Sequence, residues 1–169
     1  MRLYHGTNID IQSIDLELCR PYKDFGRGFY TTDILEQAQK MAKRVARIYG
    51  GNPVVNIYEI ADDYMEYDGL STLDFGKIPS ERWAVFVMNN RSRTFTDFGS
   101  QYCNFDCKYD IVAGPIADDD MTVLFRQYQN RLISLQAMLN GMVFRETTSQ
   151  YSFHTEKSIR LLKKVGVLQ

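Results

Sequence analysis

The sequence predicts an α+β fold built around antiparallel sheet, and three observations lead to it. Strand and helix signals mix along the chain without the strict strand-helix-strand alternation that a doubly wound parallel sheet requires. The predicted strands are short and are bounded by tight glycine turns. A length of 169 residues fits one domain spanning residues 1–169, because chains divide into domains only beyond about 250 residues.

The first two strands flank a glycine-rich loop. Residues Arg2–Thr7 alternate in polarity and break at Gly6, which predicts a short strand that runs into a turn. Residues 24–28 (DFGRG) place two glycines two positions apart before a β-favouring run, which predicts a tight loop entering a strand. We expect this DFGRG loop to approach a ligand or another backbone closely.

A long amphipathic helix follows. Asp33 with Glu36 three residues later is typical of a capping box, and Gly50 with Gly51 predicts the end of the helix. Between them, residues with a predicted inward face recur at helical spacing: Ala38, Met41, Ala42, Val45, Ala46 and Tyr49.

The rest of the chain continues to mix strands and helices. The predicted elements are a strand at 54–60, a paired segment at 64–68, a helix at 80–90 with Trp83 and Val87 inward, a strand at 109–115, a long helix capped by the aspartates at 118–120 and ending near 139, a strand at 149–154, a short helix capped by Thr155, and a closing strand at 165–168.

Composition excludes several classes of protein. The net charge is −1, from 20 lysines and arginines and 21 aspartates and glutamates, so no global positive field is present to hold a nucleic-acid backbone. Basic runs at 40–47 and 160–164 lie on predicted helices and are interpreted as solvated faces. We therefore expect nucleic acid, if it is involved at all, only as an acceptor.

Metal binding and membrane insertion are not predicted. Cys103 and Cys107 stand four apart, with no second Cys or His pair at zinc spacing nearby. The first residues contain no signal-peptide core, and no apolar run approaches the roughly 20 residues of a membrane span. We expect a cytoplasmic protein with no metal and no membrane contact.

Each candidate ligand residue, taken alone, is weak evidence for a binding site. The DFGRG loop does not match the Rossmann glycine pattern, and no phosphate-binding P-loop motif occurs. His5 ends a strand beside Gly6, where an imidazole can reach a ligand and the glycine backbone lies open, although a lone histidine is more often structural. Tyr30 on a strand is more often core, and Gln150 on a strand is ordinarily a surface residue.

Three sequence segments taken together indicate a family more specifically than any single residue does. LYHGT at 3–7, FGRGFY at 25–30 and SQY at 149–151 occur in the order and approximate spacing of three motifs of one superfamily. The sequence resembles the ADP-ribosyltransferases, and more narrowly the His-Tyr-Glu branch shared by diphtheria-type toxins and poly(ADP-ribose) polymerases. It also looks like a bacterial domain-of-unknown-function family placed in that clan. The likeness runs from residue 3 to about 155 with the middle unmatched, and the second motif is its most specific part.

The resemblance implies a fold of two packed, mainly antiparallel sheets with flanking helices, and NAD as the substrate. It implies that His5 hydrogen-bonds the adenosine-side ribose and that the backbone of Gly6 grips the nicotinamide carboxamide. Tyr30 would stack against the nicotinamide ring, and Thr7 and Gly28 would complete the binding set.

The catalytic position of the resemblance falls on Gln150. A carboxylate there would stabilise the positive charge that develops on the ribose as the glycosidic bond stretches, whereas Gln150 is a neutral amide. This departure predicts slow chemistry or none, and it argues against chain elongation. Glu146 lies four residues earlier and is the alternative carboxylate.

Two further positions depart from the polymerase-like pattern. Ala38 stands where a hydroxyl residue is expected, and Met41 stands where a second stacking aromatic ring is expected. The missing ring could come from Tyr22 or Tyr49, and the sequence leaves that choice open.

Basic residues flank the second motif. Arg20, Lys23 and Arg27 could face the NAD pyrophosphate, since Arg and Lys make charge-assisted hydrogen bonds to phosphate. Solvated loop charges are an equally good interpretation.

The leading hypothesis is an NAD-dependent mono-ADP-ribosyltransferase with a macromolecular acceptor, of the kind used as a bacterial or phage toxin and restrained by a small inhibitory partner protein. The alternative is a module of the same fold that binds NAD or another nucleotide with little or no turnover. A chance coincidence of the motifs in an unrelated α+β domain is the third interpretation. The helix after Asp118 is where we expect a partner surface.

Overall fold

The computed structural model describes residues 1–142 and 149–169, and it forms seven strands and five α-helices there. In chain order the elements are β1 (Arg2–Thr7), β2 (Phe29–Thr31), α1 (Leu35–Tyr49), β3 (Val54–Glu59), β4 (Thr72–Asp74), α2 (Glu81–Arg91), β5 (Ile111–Gly114), α3 (Asp119–Gln129), α4 (Leu135–Met142), β6 (Gln150–Phe153), α5 (Glu156–Ile159) and β7 (Lys163–Leu168). Short 3-10 helices lie at Leu16–Leu18 and Tyr64–Glu66.

The strands form two sheets. One has three strands in the order β1-β3-β7, and all of its neighbours are antiparallel. The other has four strands in the order β2-β6-β5-β4, and only the β4-β5 pair is parallel. The predicted α+β class with mainly antiparallel sheets is confirmed.

The two sheets pack against each other through one apolar layer. Leu3 and Tyr58 face this layer from the three-stranded sheet, while Phe29, Ile111 and Phe153 face it from the four-stranded sheet. Side chains alternate across a strand, so Tyr30 and Ser152 point to the opposite face of the four-stranded sheet.

The opposite face of the four-stranded sheet carries the larger core. Helices α2, α3 and α4 cover it with fully or nearly fully buried side chains, among them Trp83, Val87, Phe125 and Met138. Trp83 and Val87 thus point inward as predicted. Helix α1 covers the outer face of the three-stranded sheet with a stripe of small residues, Ala38, Ala42 and Ala46.

The start of α1 differs from the prediction. The helix begins at Leu35, and no side chain caps Ile34 at its N-terminus. The hydroxyl of Thr32 accepts a hydrogen bond from the Ile34 N–H over 3.0 Å, so the turn before the helix is closed two residues after the threonine. The capping box with Asp33 is therefore wrong. Met41 is 48% exposed and Tyr49 is 57% exposed, so their predicted inward positions are wrong too.

Two other elements also differ. The segment predicted to pair at 64–68 contains a 3-10 helix, and the strand that pairs instead is β4, which lies parallel to β5. The long helix after Asp118 is broken into α3 and α4 because Arg131 adopts a positive φ of 59° and Ser134 recaps the chain by accepting from the Ala137 N–H. Asp118 caps α3 by accepting from the Met121 N–H over 2.8 Å, as predicted. The capping of α5 by Thr155 is confirmed as well.

Candidate functional site

The first two motifs meet where the backbone pairing of β1 with β2 ends. Tyr4 and Thr32 exchange backbone hydrogen bonds of 2.7 and 3.0 Å, and this is an isolated bridge between the two sheets. The next opposed pair in the same register is Gly6 with Tyr30, and no backbone hydrogen bond joins these two in the described part of the chain. Because hydrogen bonding alternates along an antiparallel strand, the N–H and carbonyl of Gly6 point toward β2, as those of Tyr4 do. We call this place the β1/β2 split.

His5 occupies one wall of the split. Its Nδ1 lies 2.6 Å from the carbonyl oxygen of Tyr30, and its ring stacks on Phe29 with centroids 4.5 Å apart. A carbonyl can only accept, so Nδ1 carries the hydrogen and Nε2 is the acceptor of the neutral ring. Burial lowers the pKa of His5, and the hydrogen bond to Tyr30 offsets only part of that effect. His5 is therefore neutral at pH 7.

Gly6 is required by the close approach of α1. A Cβ at this position would lie 2.0 Å from the carbonyl oxygen of Ala38 and 2.8 Å from the nitrogen of Ala42. The small residue at Ala38 has the same cause, since the helix backbone rests directly on the strand there. The hydroxyl that the resemblance expects at this position is absent, and Met41 is half exposed on the same helix.

Tyr30 fastens the DFGRG loop to the sheet. Its phenol oxygen accepts from the Phe25 N–H over 3.0 Å and donates to the Gly26 carbonyl over 2.8 Å. Burial, reinforced by the nearby Asp24 carboxylate, raises the pKa of Tyr30 well above its usual 10, so the phenol stays neutral. Gly26 has a φ of 94°, which favours glycine at this turn.

Gln150 lies at the edge of the same face, two residues from the partner of Tyr30 in β6. Its side-chain nitrogen donates to Asp24 Oδ2 over 2.7 Å and to the carbonyl of Pro115 over 3.0 Å. The residue is only 6% exposed, in contrast to an ordinary strand glutamine. Arg91 binds the other oxygen of Asp24 through Nε and Nη2, at 2.8 and 2.6 Å. The N–H of Ala117 donates to Asp24 Oδ2 over 3.0 Å.

Sequence reasoning missed Asp24 and Arg91. Asp24 stands inside the quoted DFGRG loop, and a carboxylate next to a tight buried turn is a signal that it has a specific partner. Its partner Arg91 is 67 residues away on α2 and carries no motif of its own. The pair is made by tertiary packing, so the sequence did not reveal it.

Gly28 packs against a second polar pair, His154 and Ser152. A Cβ there would lie 2.7 Å from His154 Nδ1, and that nitrogen donates to the Arg27 carbonyl over 2.6 Å. The Ser152 hydroxyl lies 2.7 Å from His154 Nε2 and donates to it, because Nδ1 holds the hydrogen of the neutral ring. Burial lowers the pKa of His154 to about 4. The DFGRG loop is therefore fixed from both of its ends.

The predicted pyrophosphate ligands have other neighbours in this structure. Arg20 donates to the hydroxyl of Tyr49 over 2.9 Å, and its guanidinium lies 5.5 Å from the centre of that ring. Arg27 approaches the carboxylate of Glu17 at 3.5 Å. Lys23 is exposed. All three are at the surface, and none is brought against His5 or Tyr30 by a contact among the described residues.

The remaining predicted residues are spread around the split. Thr7 ends β1 and lies within 3.5 Å of the Asn8 side chain. Tyr22 has a φ of 60° and turns away toward Phe105, with Arg93 over its ring at 5.3 Å. Glu146 lies outside the described residues.

Two cavities of the described structure are lined by residues other than His5, Tyr30 and Gln150. One of about 480 Å³ runs between α2 and α3, where Arg91, Thr122 and Arg126 line it. One of about 210 Å³ lies beside Tyr58 and Lys164. Over residues 1–142 and 149–169 there is no cluster of His, Cys, Asp and Glu that could hold a metal ion. In the same ranges none of the helices has the length and hydropathy needed to cross a membrane.

Fold and site together define an α+β domain of two mainly antiparallel sheets with an open strand edge at which a His-Gly pair meets the backbone of a half-buried tyrosine. The family of protein of unknown function DUF3990 matches residues 1–164, and the chain belongs to it. This is consistent with the predicted membership of a family of unknown function. Comparison with curated proteins and comparison with solved structures gave no match.

Proposed function

We propose that this protein is an NAD-dependent mono-ADP-ribosyltransferase that modifies a macromolecular acceptor. The observation that carries the proposal is the β1/β2 split, where His5 and Gly6 of the first motif stand against Tyr30 of the second. These residues are separated by more than 20 positions in the chain and meet at the one edge where the strand pairing begun by Tyr4 and Thr32 stops.

The chemistry of the split suits the nicotinamide end of NAD. A carboxamide carries both a donor and an acceptor, and the edge of Gly6 offers the complementary N–H and carbonyl, both directed toward β2. His5 is neutral with an acceptor at Nε2, which suits a ribose hydroxyl. Tyr30 supplies an uncharged aromatic ring on the face of the four-stranded sheet that also carries Gln150.

The reaction breaks the bond between the ribose C1′ and the nicotinamide nitrogen. The bonding electrons leave with nicotinamide, and positive charge develops on the sugar. A nucleophilic atom of the acceptor then forms a bond to C1′ and releases its proton to solvent. Gln150 supports this step as a hydrogen-bond acceptor for the ribose and not as an anion, so we expect turnover well below that of a carboxylate enzyme.

The neutral side chain of Gln150 also favours transfer of a single ADP-ribose. Elongation of a polymer requires a base that activates a hydroxyl of the growing chain, and a glutamine side chain has no basic group. We therefore propose one ADP-ribose per acceptor site, in the manner of a bacterial or phage toxin restrained by a small inhibitory partner protein.

One observation favours a second candidate, a module that binds NAD or another nucleotide without turnover. Gln150 is 6% exposed, and its amide nitrogen is already engaged by Asp24 and the Pro115 carbonyl. A neutral, buried amide can hold a bound ligand by hydrogen bonding without stabilising a positive charge on the ribose.

Nicotinamide release from labelled NAD separates the two candidates. The purified protein is incubated with a lysate as the acceptor pool, beside His5→Ala and the control Arg2→Ala, which lies on the same strand with an exposed side chain. Release with transfer of label, lost in His5→Ala and kept in Arg2→Ala, supports the transferase. Saturable NAD binding without release supports the binding module. Neither binding nor release overturns the proposal.

A further inference from the structure

We infer that Asp24 is a positioning residue that holds the Gln150 amide in one orientation, with its carbonyl oxygen directed away from Asp24 and available as an acceptor for the substrate ribose. This inference rests on the proposed function for the identity of the substrate. The orientation itself depends only on contacts within the chain.

The orientation follows from the two neighbours of the amide nitrogen. A primary amide has two N–H donors and one carbonyl acceptor. Gln150 Nε2 lies 2.7 Å from a carboxylate oxygen of Asp24 and 3.0 Å from the carbonyl oxygen of Pro115. Both neighbours can only accept. If the amide were turned over, its oxygen would face two other oxygens with no hydrogen between them.

Asp24 has no freedom to adapt to a different partner. One of its oxygens accepts twice from Arg91, and the other accepts from the Ala117 N–H and from Gln150. Arg91 is fixed in turn by Thr122 at 2.7 Å and by the Ala117 carbonyl at 2.8 Å. The order of support therefore runs from Arg91 to Asp24 to Gln150.

This arrangement gives a neutral side chain part of the character of a carboxylate. Donation from the amide nitrogen to a charged oxygen draws electron density toward the amide carbonyl, because hydrogen bonds in a chain polarise one another. The effect is stronger in a buried site than in water. Gln150 thus offers a fixed, electron-rich acceptor and no net charge.

Two substitutions remove the contact in different ways. In Asp24→Asn, the Asn oxygen satisfies Arg91, so its NH2 faces both the Gln150 amide nitrogen and the Ala117 N–H, and the contact that orients the Gln150 amide is lost. In Gln150→Glu, a second carboxylate replaces the donor 2.7 Å from Asp24, and the two like charges repel. The exchange variant Asp24→Asn with Gln150→Glu restores one donor and one acceptor between these two side chains, while the Ala117 N–H and the Pro115 carbonyl each keep an unfavourable neighbour.

The test compares these three variants with the wild type by thermal unfolding and by nicotinamide-release kinetics. Asp110→Asn is the matched control, because Asp110 is a second buried carboxylate, bound by the Ser71 N–H and near no part of Gln150. We expect Asp24→Asn to lower kcat by roughly tenfold to hundredfold with a smaller change in KM. Asp110→Asn loses stability and keeps the kcat of the folded protein.

Thermal unfolding tests the contact without any substrate. We expect Gln150→Glu to lower the Tm by about 5 °C or more at pH 7.5, because two carboxylates then face each other at this contact. The raised pKa of Tyr30, which lies near Asp24, keeps its phenol neutral at this pH. The exchange variant recovers part of the lost Tm, because its two side chains again pair a donor with an acceptor.

The outcomes separate this inference from the proposed function. If the wild type neither binds NAD nor releases nicotinamide, the proposed function fails, and the Tm comparison still decides the orientation. If the wild type is active but folded Asp24→Asn keeps its kcat, the positioning role is overturned. Equal Tm values for Gln150→Glu and the wild type at pH 7.5 would overturn the contact itself.

Discussion

The imidazole of His5 donates from Nδ1 to the carbonyl of Tyr30 across 2.6 Å, at the point where backbone pairing between β1 and β2 ends. A side chain thereby takes the acceptor that the N–H of Gly6 would use if the ladder continued. The two sheets are held at a fixed separation, and the glycine backbone groups stay on an open strand edge. The same contact sets the tautomer of His5 and directs its acceptor nitrogen away from Tyr30.

His5→Asn tests which nitrogen matters for the ligand. The Asn amide can donate to the Tyr30 carbonyl as Nδ1 does, but it carries nothing at the position of Nε2. We expect the free energy of unfolding to fall by about 1–2 kcal/mol, mainly from lost stacking on Phe29. NAD affinity measured by calorimetry should fall about tenfold, the worth of one hydrogen bond. Unchanged affinity in the folded variant would show that Nε2 does not touch NAD.

Tyr30→Phe separates the structural role of the hydroxyl from the stacking role of the ring. The change removes the contacts with the Phe25 N–H and the Gly26 carbonyl, so we expect a loss of about 1–3 kcal/mol in the free energy of unfolding. The ring remains, and NAD affinity at a temperature where the variant is folded should stay within about threefold of the wild type. Tyr30→Ala, which removes the ring too, should lose that affinity.

The parts of the fold that the sequence predicted are those with local signals. The periodic small residues of α1 and the alternating residues of β1 and β6 lead directly to their structures. The break between α3 and α4 depends on one positive φ at Arg131, which the apolar pattern through the segment does not reveal. The three-residue β4 was missed because its length leaves no pattern, and it forms by pairing with β5.

In the candidate site, too, the residues with local sequence signals were predicted and those joined only by tertiary packing were not. His5, Gly6 and Tyr30 stood out because glycines and strand ends mark them locally, and the structure brings them together at the split. The support of Gln150 by Asp24 was not foreseen, because the two residues are 126 positions apart and only packing joins them. The expected functions of these residues stay predictions.

Gly6→Ala should be among the most damaging single changes in the protein. The added methyl would lie 2.0 Å from the carbonyl oxygen of Ala38, and that atom belongs to a helix backbone that cannot move without lifting α1. We expect a loss of at least about 3 kcal/mol, measured by urea unfolding. Gly166→Ala is the control in the same sheet, because no atom lies within 4 Å of a Cβ there. A similar loss in both variants would contradict the proposed packing of α1 on β1.

His154 should make stability depend on pH in a defined direction. Burial lowers its pKa from 6.5 to about 4, so the unfolded chain binds a proton that the folded protein excludes between these values. A group whose pKa is depressed in this way stabilises the fold fully above about pH 6.5, and this stabilisation is lost as the pH falls toward 4, by up to about 3 kcal/mol. His5, whose pKa is also lowered, adds to the loss in the same direction.

His154→Asn isolates this contribution. The Asn amide can still donate to the Arg27 carbonyl, while the bond from Ser152 and the titrating ring are lost. Urea unfolding of both proteins at pH 7.5, 6, 5 and 4.5 gives their free energies of unfolding. At the highest pH the wild type should be more stable by about 1–3 kcal/mol, and this difference should become smaller below pH 6.5. Subtracting one protein from the other at each pH removes the contributions that both share. A gap that stays constant across the series would mean that His154 is not excluded from protonation in the folded state.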